Sequence, residues 1–135
     1  MRCALAAILL ALVFVPQAAM AELVEWRCQF DRYASLGVGA FDASSAELDD
    51  AKNFALVFVV DLETGSSYVV GNIGATEVEL RFVGEDGGVV FLETAPLGSI
   101  QVTAIDSYGN AVHSRHTMML GELVPSQYYG HCIAR

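Results

Sequence analysis

Val24-Glu25-Trp26-Arg27-Cys28-Gln29-Phe30 alternates apolar and polar residues without a break. A period of two sets Val24, Trp26, Cys28 and Phe30 on one face of a β-strand, with Glu25, Arg27, Gln29 and then Asp31 opposite. Cys28 therefore faces inward from the first strand. Cys132, near the other end of the chain, falls in the last strand-like run, 127–133. Two thiols can bridge only when their Cα atoms come within about 7 Å. A Cys28–Cys132 disulfide thus makes the first and last strands neighbours, the condition for a sheet that closes on itself.

The residues between the two cysteines fit such a closure. Gly65, Gly74, Gly84, Gly98, Gly109 and Gly121 punctuate runs rich in Val, Ile, Phe, Thr and Tyr. Short strands at that spacing indicate an antiparallel all-β domain. Strands are expected at 54–60, 67–70, 78–82, 89–94, 99–105, 111–119 and 127–133. Residues 54–60 are apolar on both faces and read as a well-covered strand. Asp61-Leu62-Glu63-Thr64-Gly65 and Asp106-Ser107-Tyr108-Gly109-Asn110 supply Asp and Gly where tight turns need them. The sum is a small up-and-down β-barrel of about eight strands, a meander similar to that of lipocalin-like barrels. One stretch departs from the pattern. Ser44-x-x-Glu47 reads as a capping box opening a short helix near 45–52.

The chain opens with Arg2, an apolar run at 4–15 and Ala19-Met20-Ala21, the layout of a cleaved secretory signal peptide over 1–21. Residues 22–135 then form a single domain. The apolar run is too short to span a bilayer, so no membrane span is expected after cleavage. Export discards Cys3 and places Cys28 and Cys132 where disulfides persist, in a periplasmic or secreted location. Seven basic against sixteen acidic residues give a formal charge of −9. Such a balance disfavours nucleic acid, which requires clustered Lys and Arg, and attracts basic partners.

Chemistry-bearing residues are sparse. In His113-Ser114-Arg115-His116, a strand sends His113 and Arg115 to one face and Ser114 and His116 to the other. With His131 there are three imidazoles, but their spacing matches no zinc pattern, and neither a metal nor a cofactor is expected. No Gly-x-Ser-x-Gly elbow is present. Asp42, Glu47, Asp49 and Asp50 lack the spacing of a calcium loop and read as solvated. Glu93 either points inward with Val89 and Phe91 or ends its strand near solvent and Arg115. Ser126-Gln127-Tyr128-Tyr129 is the most interface-like stretch, with one tyrosine facing in and one out.

The expected function is a non-enzymatic binding or interaction module. Ser126, Tyr128, Tyr129, His113 and His116 are its candidate contact residues, and a basic protein or a small apolar ligand in the barrel its candidate partner. Trp26-Arg27-Cys28, Cys132 and Thr64-Gly65-Ser66-Ser67-Tyr68 together resemble the layout of small secreted bacterial lysozyme inhibitors. Ser67 stands where that family's hairpin carries a basic residue. The resemblance implies an eight-stranded disulfide-bearing barrel and a lysozyme partner.

Overall fold

The first strand, β1 (Leu23–Ser35), turns its alternation into burial: Cys28 and Phe30 are buried, Arg27 and Gln29 exposed. The computed structural model describes residues 22–36, 47–83, 85–95 and 98–135. The leader with Cys3, and Asp42 and Ser44 of the acidic stretch, lie outside them, as do the side chains of Glu47, Phe82 and Val83. The remaining strands are β2 (Glu47–Asp61), β3 (Ser67–Gly71), β4 (Gly74–Glu77), β5 (Glu79–Val83), β6 (Gly88–Thr94), β7 (Ile100–Ile105), β8 (Asn110–Met119) and β9 (Glu122–Ala134).

All neighbours pair antiparallel in the order β4-β3-β2-β1-β9-β8-β7-β6-β5. The first and last strands are therefore adjacent. Cys28 lies directly opposite Cys132 in the β1–β9 register, and the two form a disulfide. The two ends of the order, β4 and β5, are consecutive in the chain and separated only by Val78. They are two halves of one pass, the first pairing with β3 and the second with β6. Nine ladder segments thus make eight passes around a nearly closed barrel. At the junction Val78 N–H donates to Ser67 O at 2.9 Å. The Ser67 hydroxyl, buried, donates back to Val78 O at 2.7 Å. A side chain supplies the bond that the bend removes from the ladder.

Inward positions build an aromatic core. Phe58 and Phe91 stack across the barrel at 4.1 Å between centroids, and Trp26 meets Phe91 edge-on at 5.6 Å. Phe30, Phe58 and Phe91 are almost fully buried. Each contributes roughly 1.5–3 kcal/mol by leaving water. Because these rings fill the middle of the barrel, that level offers no room for a ligand.

The register slips once. Phe30 pairs with Gly130 but Arg32 pairs with Tyr129, so Asp31 is an extra residue, a β-bulge. The slip reverses the parity of β1. Arg32 is exposed, while Tyr33 turns inward and stacks on Tyr128 at 5.5 Å.

The expected helix near 45–52 is not formed, because residues 47 to 52 belong to β2. Leu48, Asp49 and Asp50 pair with Ala34, Tyr33 and Arg32 of β1. The Arg32 guanidinium donates to the carbonyls of Leu48 at 3.1 Å and Asp49 at 3.3 Å. Neighbouring backbone thus overrides a local capping signal.

The acidic turns behave as their residues suggest. Asp61 Oδ1 accepts from the amides of Glu63 and Thr64, and Gly65 takes φ +75°. Asp106 Oδ1 accepts from the amides of Tyr108 and Asn110, and Gly109 takes φ +88°. The Thr64 amide at the first turn, and at the second the Asn110 side-chain amide donating to Asp106 Oδ2 at 2.8 Å, do most to hold both carboxyls below the ordinary carboxylate range.

Candidate functional site

Strand parity sorts the candidate residues. Inward positions of β8 are Ala111, His113 and Arg115, those of β7 are Gln101, Thr103 and Ile105, and those of β6 are Val89, Phe91 and Glu93. Along β9, Ser126, Tyr128, Gly130 and Cys132 share the inward parity. The ladders place Phe91, Thr103, His113 and Tyr128 in one row around the barrel. The next row toward the β8–β9 turn is Glu93, Gln101, Arg115 and Ser126. The first row is mostly buried, with Phe91, Thr103 and His113 all hidden. All four side chains of the second row are half-exposed. Farther toward the same end Ser99 and Leu36 are buried, so this polar row lies just inside the mouth of the barrel.

His113 lies just beneath that row, only 2% exposed. Its ring packs among Phe54, Phe30 and Tyr128 at 5.5–5.8 Å. Its Nδ1 shares a 2.8 Å hydrogen bond with the Thr103 hydroxyl. Its Nε2 is buried without a partner among the described residues, and so is Arg115 Nε. Two unpartnered groups on successive inward positions of one strand are unusual, since buried polar atoms nearly always find a partner. Burial, with a smaller effect from the Arg115 charge, depresses the His113 pKa to about 4. Glu93 completes the polar row. Burial raises its carboxyl above the ordinary range, while the nearby Arg115 charge and a Thr76 hydrogen bond pull it down.

The depressed imidazole has a consequence for stability. The unfolded chain protonates His113 near its ordinary value of 6.5, the folded chain only near 4. The contribution of the neutral ring is fully present above pH 6.5. It is lost as pH falls between these two values, by about 3 kcal/mol in total. Glu93 acts in the opposite sense, since its raised carboxyl favours the folded state on acidification. Urea midpoints measured from pH 7 to pH 4.5 are expected to fall more steeply for the native chain than for His113→Gln, which keeps a hydrogen-bonding group but does not titrate. Parallel slopes would contradict a buried neutral His113.

The other candidates lie elsewhere. Tyr129 and His116 face outward, away from Tyr128, His113 and Ser126. The outer row Val90, Ala104, Val112 and Tyr129 runs across β6 to β9. His131 is also exposed, so the three imidazoles do not converge. Among the described residues no three His, Cys, Asp or Glu side chains gather in a way that would hold a metal ion. Ser67, in the hairpin that carries the lysozyme-inhibitor resemblance, is buried and fixes the bend at Val78.

Gln101, Thr103 and Thr76 join the site without having been singled out in the sequence. Their signal was present in strand parity: the same count that turns Phe91 and His113 inward also turns Gln101, Thr103 and Arg115 inward. Compared with protein-family models, with curated proteins and with solved structures, the chain finds no match.

Proposed function

We propose that this protein is an exported, non-enzymatic binding module that receives its ligand at the polar mouth of the barrel. The observation that carries this reading is the pair of unpartnered buried atoms, His113 Nε2 and Arg115 Nε. Leaving such groups unsatisfied costs about 1–3 kcal/mol each, a cost that a bound ligand removes. The long-range disulfide supports a location outside the cytoplasm. The aromatic filling at mid-barrel argues against a small apolar cargo there. The Thr103 hydroxyl that pairs with the His113 imidazole is buried beneath the mouth, which favours binding over catalysis.

A chemically mixed panel of small molecules, titrated while amide shifts are followed by NMR, tests the reading. Saturable shifts are expected at Glu93, Gln101, His113, Arg115 and Ser126. An unresponsive mouth would contradict it.

A second reading has its own observation. The outer row of Val90, Ala104, Val112 and Tyr129 is an apolar strip on the barrel wall, with Tyr129 39% exposed. Such strips mark contact surfaces, and the acidity of the chain would draw a basic protein to it. Shifts confined to this strip on addition of a basic protein, such as a lysozyme, would favour this second reading.

A further inference from the structure

We infer that the ligand of the barrel mouth is a small monocarboxylic acid, its carboxylate held between Arg115 and His113. The inference rests on the mouth-binding reading above and names the chemistry that the site selects.

The first ground is the donor pattern. Arg115 Nε is a donor in every protonation state of the protein. His113 offers a second donor when the Thr103 hydroxyl donates to Nδ1 and the ring proton sits on Nε2. The Thr103–His113 contact of 2.8 Å suits that arrangement. Two N–H groups from inward positions of one strand then await an acceptor, and neither has one among the described residues. A carboxylate presents two acceptor oxygens on one rigid plane and accepts charge-assisted bonds from a guanidinium.

The second ground is charge. Arg27, Arg32, Lys52, Arg81 and Arg135 are all exposed on the outside. Arg115 is the basic side chain that the described residues turn into the barrel, so the mouth carries one positive charge. Glu93 lies two strands away in the same row, with Gln101 between them. Burial raises the Glu93 carboxyl above its ordinary range, and the Arg115 charge pulls it back. One inward cation, with Glu93 in its own row and Asp49 continuing the neighbouring row through Tyr33, suits a singly charged ligand better than a more highly charged anion. A phosphate dianion would meet too few donors and too much repulsion.

The third ground is shape. Beneath the donors lie the rings of Phe30, Phe54 and Tyr128, packed around His113. These rings stop the ligand from passing deeper. The carboxylate enters first and the rest of the molecule points toward solvent.

Benzoate, benzamide and inorganic phosphate serve as probes on the intact disulfide-bonded chain. The imidazole ¹⁵N resonances of His113 and the thermal midpoint are read together. Benzoate is expected to shift the Nε2 resonance saturably, to hold the ring in its Nε2–H form and to raise the midpoint. Benzamide, alike in shape but uncharged, is expected to bind at least tenfold more weakly. Arg115→Met should weaken benzoate at least tenfold. If that variant fails to fold, the benzoate–benzamide comparison on the native chain still decides. Equal response to benzoate and benzamide, or an Nε2 resonance that benzoate leaves unmoved, overturns the inference. If phosphate or benzamide moves His113 and benzoate does not, only the carboxylate assignment falls. If none of the three moves His113 and a wider panel also leaves the mouth amides unmoved, the mouth-binding reading falls with it.

Discussion

Breaking the Cys28–Cys132 bridge is expected to lower the unfolding free energy by about 2–5 kcal/mol. The bridge closes a loop with a sequence separation of 104 residues. In the chain-entropy model that length restricts the unfolded chain strongly, while the folded state changes little. Both sulfurs sit in the core at 3% exposure, opposite each other in an existing ladder. Reduced thiols remain small and apolar there, so the packing survives. The loss therefore comes mostly from the freedom regained by the unfolded chain. Calorimetry of the native chain with and without reductant, alongside a Cys28→Ala/Cys132→Ala double variant, measures it. A fall in melting temperature of roughly 10 °C or more is expected. A loss under about 1 kcal/mol would mean that the β1–β9 ladder holds the barrel shut unaided.

Gly130→Ala is the second large effect. Gly130 faces inward on β9, opposite Phe30 and just before the Asp31 bulge. A Cβ built there would fall on the Gln29 carbonyl and within 2.6 Å of Phe30 Cα. Both obstacles are backbone atoms of β1, which cannot rotate aside as a side chain can. Relief requires β1 to move away from β9, through the ladder that carries the disulfide. A cost of about 3 kcal/mol or more is expected, at the upper end of overpacking effects. Gly65→Ala makes a useful contrast. Its Cβ meets nothing within 4 Å, and only its φ of +75° opposes the change. That substitution should cost about 1–2 kcal/mol. Urea unfolding of both variants tests the ranking, and equal costs would remove the close-approach explanation.

Much of this architecture is readable in the chain, because burial on one face of a sheet writes itself as alternation. Val24 to Phe30 shows it, and so do Asp61 and Asp106 with the glycines that follow them. The adjacency of the first and last strands follows from two cysteines alone. Other features depend on partners far away in sequence. Residues 47 to 53 carry few apolar side chains, and their strand is held by the β1 backbone and the Arg32 guanidinium, so no local pattern announces it. The Asp31 bulge leaves no mark beyond an inward tyrosine at an odd position. Val78 looks like the start of an ordinary strand, and only the buried Ser67 hydroxyl shows that the pass bends there. For the site, parity already places His113 and Arg115 together. What parity does not show is which neighbours remain to satisfy them. That depends on Thr103 reaching Nδ1 and on no protein group reaching Nε2.

The central position of β1 also governs the order in which the chain can assemble. β1 precedes the other described strands in the chain and so emerges before them during synthesis. It can pair with β2 as soon as that strand follows, yet its other edge has no partner until β9, the last strand, arrives. Throughout that interval a bare strand edge, with the Cys28 thiol beside it, stands exposed to other chains. Barrel closure thus waits for β9: the ring is completed only when that strand pairs with β1.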